Sequence, residues 1–265
     1  MFVPLHDGNS LKHIKLQYVT WTLIAINVIV WIVTALSSTD VGLVRAADLG
    51  YGFIPSVIND LRDLPPQYAV IPEDLTYVTY AFLHADIFHL ISNMLFLWVF
   101  GDNVEDALGH VKFILFYLAC AAAGAFAHGL ALPDSDAPLI GASGAVAGVV
   151  AAYLMLHPRV RVWILVLGRI PLPLPAFIPL VLWIGMQFYM VFADPDGQVS
   201  WATHVGGILA GALLVVVLKR RGVPLFDRTI ESPKAVVHRE GPPPLPPALP
   251  QTGKNSAGDS VHWGR

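Results

Sequence analysis

The chain has 265 residues, of which 55% are hydrophobic and only 13% charged, with a formal charge of -3 and a mean hydropathy of +0.61. Soluble domains carry about 25% charged residues, so this deficit, with several long apolar runs, indicates a multi-span membrane protein. A slightly acidic balance without a Lys/Arg-rich run gives no sign of a nucleic-acid partner, and one cysteine, Cys120, excludes an intramolecular disulfide and any CxxC metal or redox site.

Residues 1–18 are predicted to be a polar cytoplasmic segment; they lead into an apolar run without a small-residue cleavage site, so no removable signal peptide is expected. Six spans follow, at 19–37, 82–100, 111–131, 139–157, 174–193 and 201–218. Their apolar runs are continuous rather than alternating, which predicts helices and hence an all-α polytopic bundle of six transmembrane helices. The loop at 38–81 is long and partly apolar, the kind of connection that is functional or membrane-associated. Beyond 220 the sequence changes character: GPPPLPPALP at 241–250 and a Gly/Ser-containing end predict an extended or disordered tail over 221–265.

Basic residues set the orientation. Lys12, Lys15, Lys112, Arg159, Arg161, Arg169, Lys219, Arg220 and Arg221 all fall near span ends on one side. The other side has Arg45 and Arg62, in a loop that also holds Asp40, Asp48, Asp60, Asp63 and Glu73. The positive-inside rule therefore puts both termini in the cytoplasm, and the second, fourth and sixth spans start from the outer face.

Polar residues inside those three spans carry the functional signal. Ser143, in LIGASGAVAGVVAAY, directly precedes the GxxxG formed by Gly144 and Gly148, and taken singly it fits close helix packing. His204, in WATHVGGILAG, fits a satisfied core histidine as well as a functional one, since ionisable groups are rare in spans. His89 and Asn93 share a helix face and fit interhelical hydrogen bonding; His84, five residues before His89, points elsewhere as a supporting group. Depth ties them together. Counted from the cytoplasmic edge, Ser143, His204 and His89 stand roughly 21, 22 and 20 Å up their helices at 1.5 Å per residue. In a hydrocarbon core of about 30 Å that is one shared level below the outer surface.

Serine and histidine at one level is a chemically meaningful pair. A hydroxyl becomes an effective nucleophile when a neutral imidazole removes its proton during attack on a carbonyl. The resulting oxyanion needs preorganised donors, and the Ser143 backbone N–H, the Asn93 amide and a His89 ring N–H are available. The fourth, fifth and sixth spans hold no Asp or Glu, so a Ser–His dyad without a carboxylate is expected, and no metal or other cofactor is implied. Gly141 and Gly144, with Pro133 and Pro138 before them, predict a loop dipping in ahead of a short fourth helix, with a wet recess above Ser143. A transporter or proton channel built on the same histidines would be expected to carry acidic residues within its spans, and the fourth, fifth and sixth have none.

On these residues the chain resembles the rhomboid intramembrane serine proteases. GASG at 141–144 is similar to the family's GxSG nucleophile motif, His204 with Gly207 and Gly211 to its HxxGxxxG, and His84, His89 and Asn93 to its second-span HxxxxHxxxN. NMLFLWVFGDNVEDALGH at 93–110 resembles bacterial members in particular. The resemblance covers 19–220 and implies a six-span protease domain in which Ser143 is the nucleophile and His204 the general base. His89 and Asn93 would serve the oxyanion, with Gly141 and His84 in support. It further implies hydrolysis of transmembrane segments of other membrane proteins, entering from the lipid bilayer past the fifth span, and by analogy a bacterial inner membrane. The second expectation is a silent relative that binds such segments without cutting them; relatives of that kind usually lack the serine or the histidine. Two departures stand out: Ala147 occupies a position where some members have a tyrosine against the histidine, and the first outer loop lacks the Trp-Arg pair of some members.

Overall fold

The computed structural model describes residues 3–36, 41–166, 169–194, 197 and 199–227; of the predicted tail, 228–265, with the Pro-rich stretch, lies outside the described residues. In chain order the elements are β1 (Val3–Asp7), α1 (Tyr18–Leu36), α2 (Val41–Tyr51), α3 (Pro55–Ile58), α4 (Thr76–Thr79), α5 (Ile87–Leu108), α6 (His110–Ala131), α7 (Ser143–Leu156), β2 (Arg161–Val166), β3 (Ile170–Pro175), α8 (Phe177–Ala193) and α9 (Trp201–Leu218). The six predicted spans are α1, α5, α6, α7, α8 and α9. Four of them, α1, α5, α6 and α9, are long and apolar enough to cross a bilayer, whereas α7 and α8 are shorter, with 14 and 17 residues. At 1.5 Å per residue α7 is about 21 Å long, less than a hydrocarbon core of about 30 Å. At that length α7 does not cross the core by itself, and irregular backbone continuing it at depth is tolerated only where protein or water receives its polar groups.

Outward faces are apolar, as lipid requires: Phe88, Leu182, Val217 and Phe192 are among the most exposed large side chains. The core lies between α5, α6, α7 and α9, where Leu97, Phe100, Phe113, Phe116, Tyr117, Val150 and Tyr153 are fully buried. The 38–81 loop is not a bare connector. Phe53 pairs with Leu139 in a β-bridge, Ser56 N–H donates to the Ser135 carbonyl, and the Tyr80 hydroxyl, fully buried, donates to Ala121 O at 2.8 Å. Phe53 itself is 1% exposed, so the loop is seated on the bundle by a core contact.

A three-stranded antiparallel sheet, in the order β1-β2-β3, lies beside the helices and is an addition to the predicted all-helical spans. Its edge strand, IPLPLP, reads poorly as a strand because proline cannot donate to a ladder. Pro171, Pro173 and Pro175 fall on alternate positions, so their nitrogens all face away from β2 while Leu172 and Leu174 keep the pairing. Because β1 pairs with β2, the amino-terminal segment and the connection between α7 and α8 share one side of the bundle. Residues after α9 join them there: Arg220 N–H donates to Ala107 O, and Phe226 and Asp227 N–H to Met155 and Leu156 O.

Two carboxylates of α5 organise that side. Glu105, fully buried, accepts from Val19 N at 3.1 Å, Thr20 N at 2.8 Å and the Thr20 hydroxyl at 2.7 Å, and lies 2.6 Å from His110 Nδ1. It satisfies orphan donors at the start of α1 and sets a negative charge against the positive end of its dipole. Asp106 does the same for the segment before it, accepting from the backbone N–H of Lys12, His13 and Ile14.

Asp7, at the end of β1, is held differently. Its Oδ2 accepts from Asn103 Nδ2 and from the Tyr153 hydroxyl, each at 2.8 Å. Burial, with the Asp102 carboxylate nearby, pushes its pKa up from 3.8 to about 8. The folded protein thus keeps a proton that the unfolded chain releases near pH 4, and stability falls as pH rises from there to about 8. Replacing Asp7 with Asn, which mimics the protonated carboxyl, is expected to flatten that fall. Thermal midpoints of the two proteins across pH 5–9 check this, with each kcal/mol worth roughly 2–4 °C.

Candidate active site

The site is built at the amino-terminal ends of α5, α7 and α9, beside α8. Asp86 caps α5, its carboxylate accepting from Phe88 N at 2.8 Å and His89 N at 2.9 Å, which fixes His89 in the first turn. Asn93, one turn deeper and 5% exposed, donates one amide hydrogen to His89 O at 3.1 Å and retains a second. The His84 ring is buried 5.0 Å from that of His89, edge to face, and neither of its nitrogens has a hydrogen-bond partner among the described residues.

Gly141 brings α7 up to this pair. Its φ of +122° belongs to glycine, and a Cβ there would lie 2.6 Å from the His89 ring. Its N–H donates to Tyr80 O at 3.0 Å, which anchors the turn before the helix. Ser143 then opens α7 and is partly exposed. The first helical bond runs from Val146 N to Ala142 O, so the N–H groups of Ser143, Gly144 and Ala145 precede the helical ladder. They form a donor set at the positive end of a helix dipole, suited to a developing oxyanion.

The glycines on both helices explain how α7 and α9 meet. A Cβ on Gly207 would overlap the Gly144 carbonyl oxygen, and one on Gly211 that of Gly148. Backbones in such contact place Gly144 against Thr203, whose methyl would lie 2.8 Å from a Gly144 Cβ. Ser143 and His204 are the chain neighbours of those two residues. No hydrogen bond joins Ser143 to His204 among the described residues; catalytic hydrogen bonds are often long without substrate and tighten in the complex. Packing and polar readings of this region are thus not rivals, because the glycines make the crossing at which the polar side chains gather.

His204 is 9% exposed and held on three sides. Its Nδ1 lies 2.7 Å from Gln187 Oε1; the Trp183 ring is stacked at 6.3 Å and the Trp201 ring stands edge-on at 5.9 Å. Both Gln187 and Trp183 come from α8. Trp183 also packs on Ala147, Ala151 and Ile208, so an aromatic surface beside the histidine is supplied by α8 where α7 has only Ala147. The start of α9 is tied down by a further chain: His128 Nδ1 lies 2.7 Å from Ser200 Oγ, which lies 2.6 Å from Thr203 Oγ1.

Sequence reasoning missed Gln187 and the His128–Ser200 pair. Gln187 had a visible signal, being the one amide in FIPLVLWIGMQFYMVFA, four residues from Trp183 and hence on its face. Two cavities, of about 290 and 360 Å³, are lined by the 38–81 loop, the first wholly and the second together with the end of α6; neither is lined by the predicted site residues, so the recess expected above Ser143 is not one of them.

Residues 73–221 match the family model described as the Rhomboid domain. The chain belongs to the rhomboid family. It is 29% identical over 154 residues to "RHOMBOID-like protein 12, mitochondrial" of Arabidopsis thaliana, a match covering 52% of this chain and 44% of that protein. It is 30% identical over 152 residues to "Rhomboid protein 1, mitochondrial" of Saccharomyces cerevisiae, covering 54% and 41%. With "Rhomboid protease GluP" of Bacillus subtilis it shares 30% identity over 138 residues, covering 51% and 24%. The matched part spans less than half the length of each relative. As a rhomboid protein the chain is a polytopic helical membrane protein, and the matched region contains α5 to α9 and every predicted site residue.

Proposed function

We propose that this rhomboid protein is an intramembrane serine endopeptidase that cleaves transmembrane segments of other membrane proteins. The reading rests on one observation above all: Gly144 and Thr203, the chain neighbours of Ser143 and His204, touch at the glycine-lined crossing of α7 and α9. The Ser143 hydroxyl attacks the scissile carbonyl as the His204 imidazole takes its proton, forming a C–O bond and an oxyanion. Backbone N–H groups at the start of α7, the free amide hydrogen of Asn93 and the His89 ring receive that charge. The intermediate collapses, the C–N bond breaks, and the leaving amine takes the proton from His204. Water then hydrolyses the acyl-enzyme by the same route.

The protease domain in this reading is 19–220, with residues 1–18 and 221–265 on the cytoplasmic side. That sidedness follows from the positive-inside rule and agrees with the pairing of β1 to β2. A bacterial inner membrane is the setting by analogy with six-span members. A fluorophosphonate probe, which needs an activated serine, tests the reading. Labelling at Ser143, lost in His204→Ala, is the expected result. An unreactive Ser143 in folded protein would instead favour a relative that binds transmembrane helices without cutting them.

A further inference from the structure

Among the buried polar groups of α8, Gln187 has a geometry that bears on chemistry rather than on packing alone. Only Pro179, Leu180 and Gln187 are buried on this helix, and Gln187 is 1% exposed. Its amide has a defined orientation. Nε2 donates to Trp183 O at 3.1 Å, so Oε1 is the atom that faces His204 Nδ1 at 2.7 Å. A carbonyl oxygen only accepts, so the hydrogen in that contact sits on Nδ1. A neutral imidazole has one N–H, and Nε2 is then left with its lone pair. The opposite tautomer would set two acceptors against each other in a buried site, where an unmade hydrogen bond is costly.

We propose that Gln187 is a positioning residue that holds His204 in the Nδ1–H tautomer, leaving Nε2 as the base for Ser143; this rests on the serine–histidine reading above. It supplies the orientation that a carboxylate gives in a soluble triad without burying a negative charge in a membrane span. Through the cycle the Nδ1 hydrogen never leaves. The serine proton goes to Nε2, both nitrogens then carry hydrogen, and the Nε2 proton goes on to the leaving amine while Gln187 keeps its bond. The ring is kept from rotating by Trp183 and Trp201. Gln187 touches no reacting atom and acts through His204 alone.

The test uses the full chain in lipid nanodiscs with ¹⁵N-labelled histidine, the His204 signals being assigned by their loss in His204→Ala. In the unsubstituted protein His204 is expected as a single Nδ1–H tautomer. In Gln187→Met, close in size but without an acceptor, the tautomers are expected to mix and kcat to fall about 10–100-fold with KM within about 3-fold. Gln187→Glu keeps an acceptor and is expected to retain the tautomer and kcat to within about 10-fold. An Nε2–H tautomer in the unsubstituted protein overturns the proposal, even if Gln187→Met fails to fold. So does an Nδ1–H tautomer that persists in Gln187→Met, or a kcat unchanged when the tautomer mixes. Cleavage that survives Ser143→Ala would sink the serine–histidine reading instead, and the tautomer measurement stands apart from it.

Discussion

Ser143→Ala and His204→Ala are each expected to abolish cleavage of a transmembrane reporter by the purified protein, while the chain still inserts and folds. Removing a nucleophile or its base from a serine hydrolase costs on the order of 10⁶ in kcat, far below detection for a membrane protease assay. Ser143→Ala is structurally mild. Ser143 opens its helix and no hydroxyl-dependent cap would be lost, since the α7 N-cap is Ala142 with no side-chain bond. His204→Ala removes a ring from between two tryptophans, so its folding is checked by thermal melting beside the assay. The two losses should not add, because nucleophile and base act as one unit. Cleavage retained in either variant would refute the assignment.

Gly207→Val should be the most damaging substitution that touches no reacting group. Even one carbon at Gly207 overlaps the Gly144 carbonyl, which is backbone and has no rotamer to yield. The helices must separate, and overpacking of this kind costs about 1–3 kcal/mol or more. A misplacement of about 1 Å between reacting groups can cost about 10²-fold in rate, so activity should fall further than stability. Gly185→Ala on α8 is the control. A Cβ there meets nothing within 4 Å, and the exchange is expected to be neutral or mildly stabilising. Thermal midpoints and cleavage rates of the three proteins decide the matter; a fully active Gly207→Val would show that the crossing is not what sets the site.

Much of this was legible in the chain. Continuous apolar runs locate the helices because lipid leaves the backbone no other partners, and the rise of a helix converts residue counts into depth. That arithmetic predicts one level for Ser143, His204 and His89; in the folded chain Gly141 lies against the His89 ring and Gly144 against Thr203. What escaped was long-range or locally contradictory. IPLPLP denies its own strand until β2 supplies a partner that needs only alternate N–H groups. Glu105 looks like part of a polar loop in GDNVED, and only the folded chain brings it to the start of α1, 85 residues away from Thr20. Gln187 was visible but unassigned, because nothing local says which histidine an amide will meet. Ala147 pointed to a gap, and the aromatic ring that fills it arrives from another helix.

The capping of α1 by Glu105 has a consequence for biosynthesis. The opening turn of the first span and the residues before it take their hydrogen bonds from carboxylates that the ribosome has not yet made when that span is inserted. Until synthesis has passed Asp106 that end of α1 waits on water or lipid headgroups, and β1 waits longer still, for the strand that begins at Arg161. The segment before α1 is translated ahead of the helices and strands that fasten it, and is among the last to be tied down.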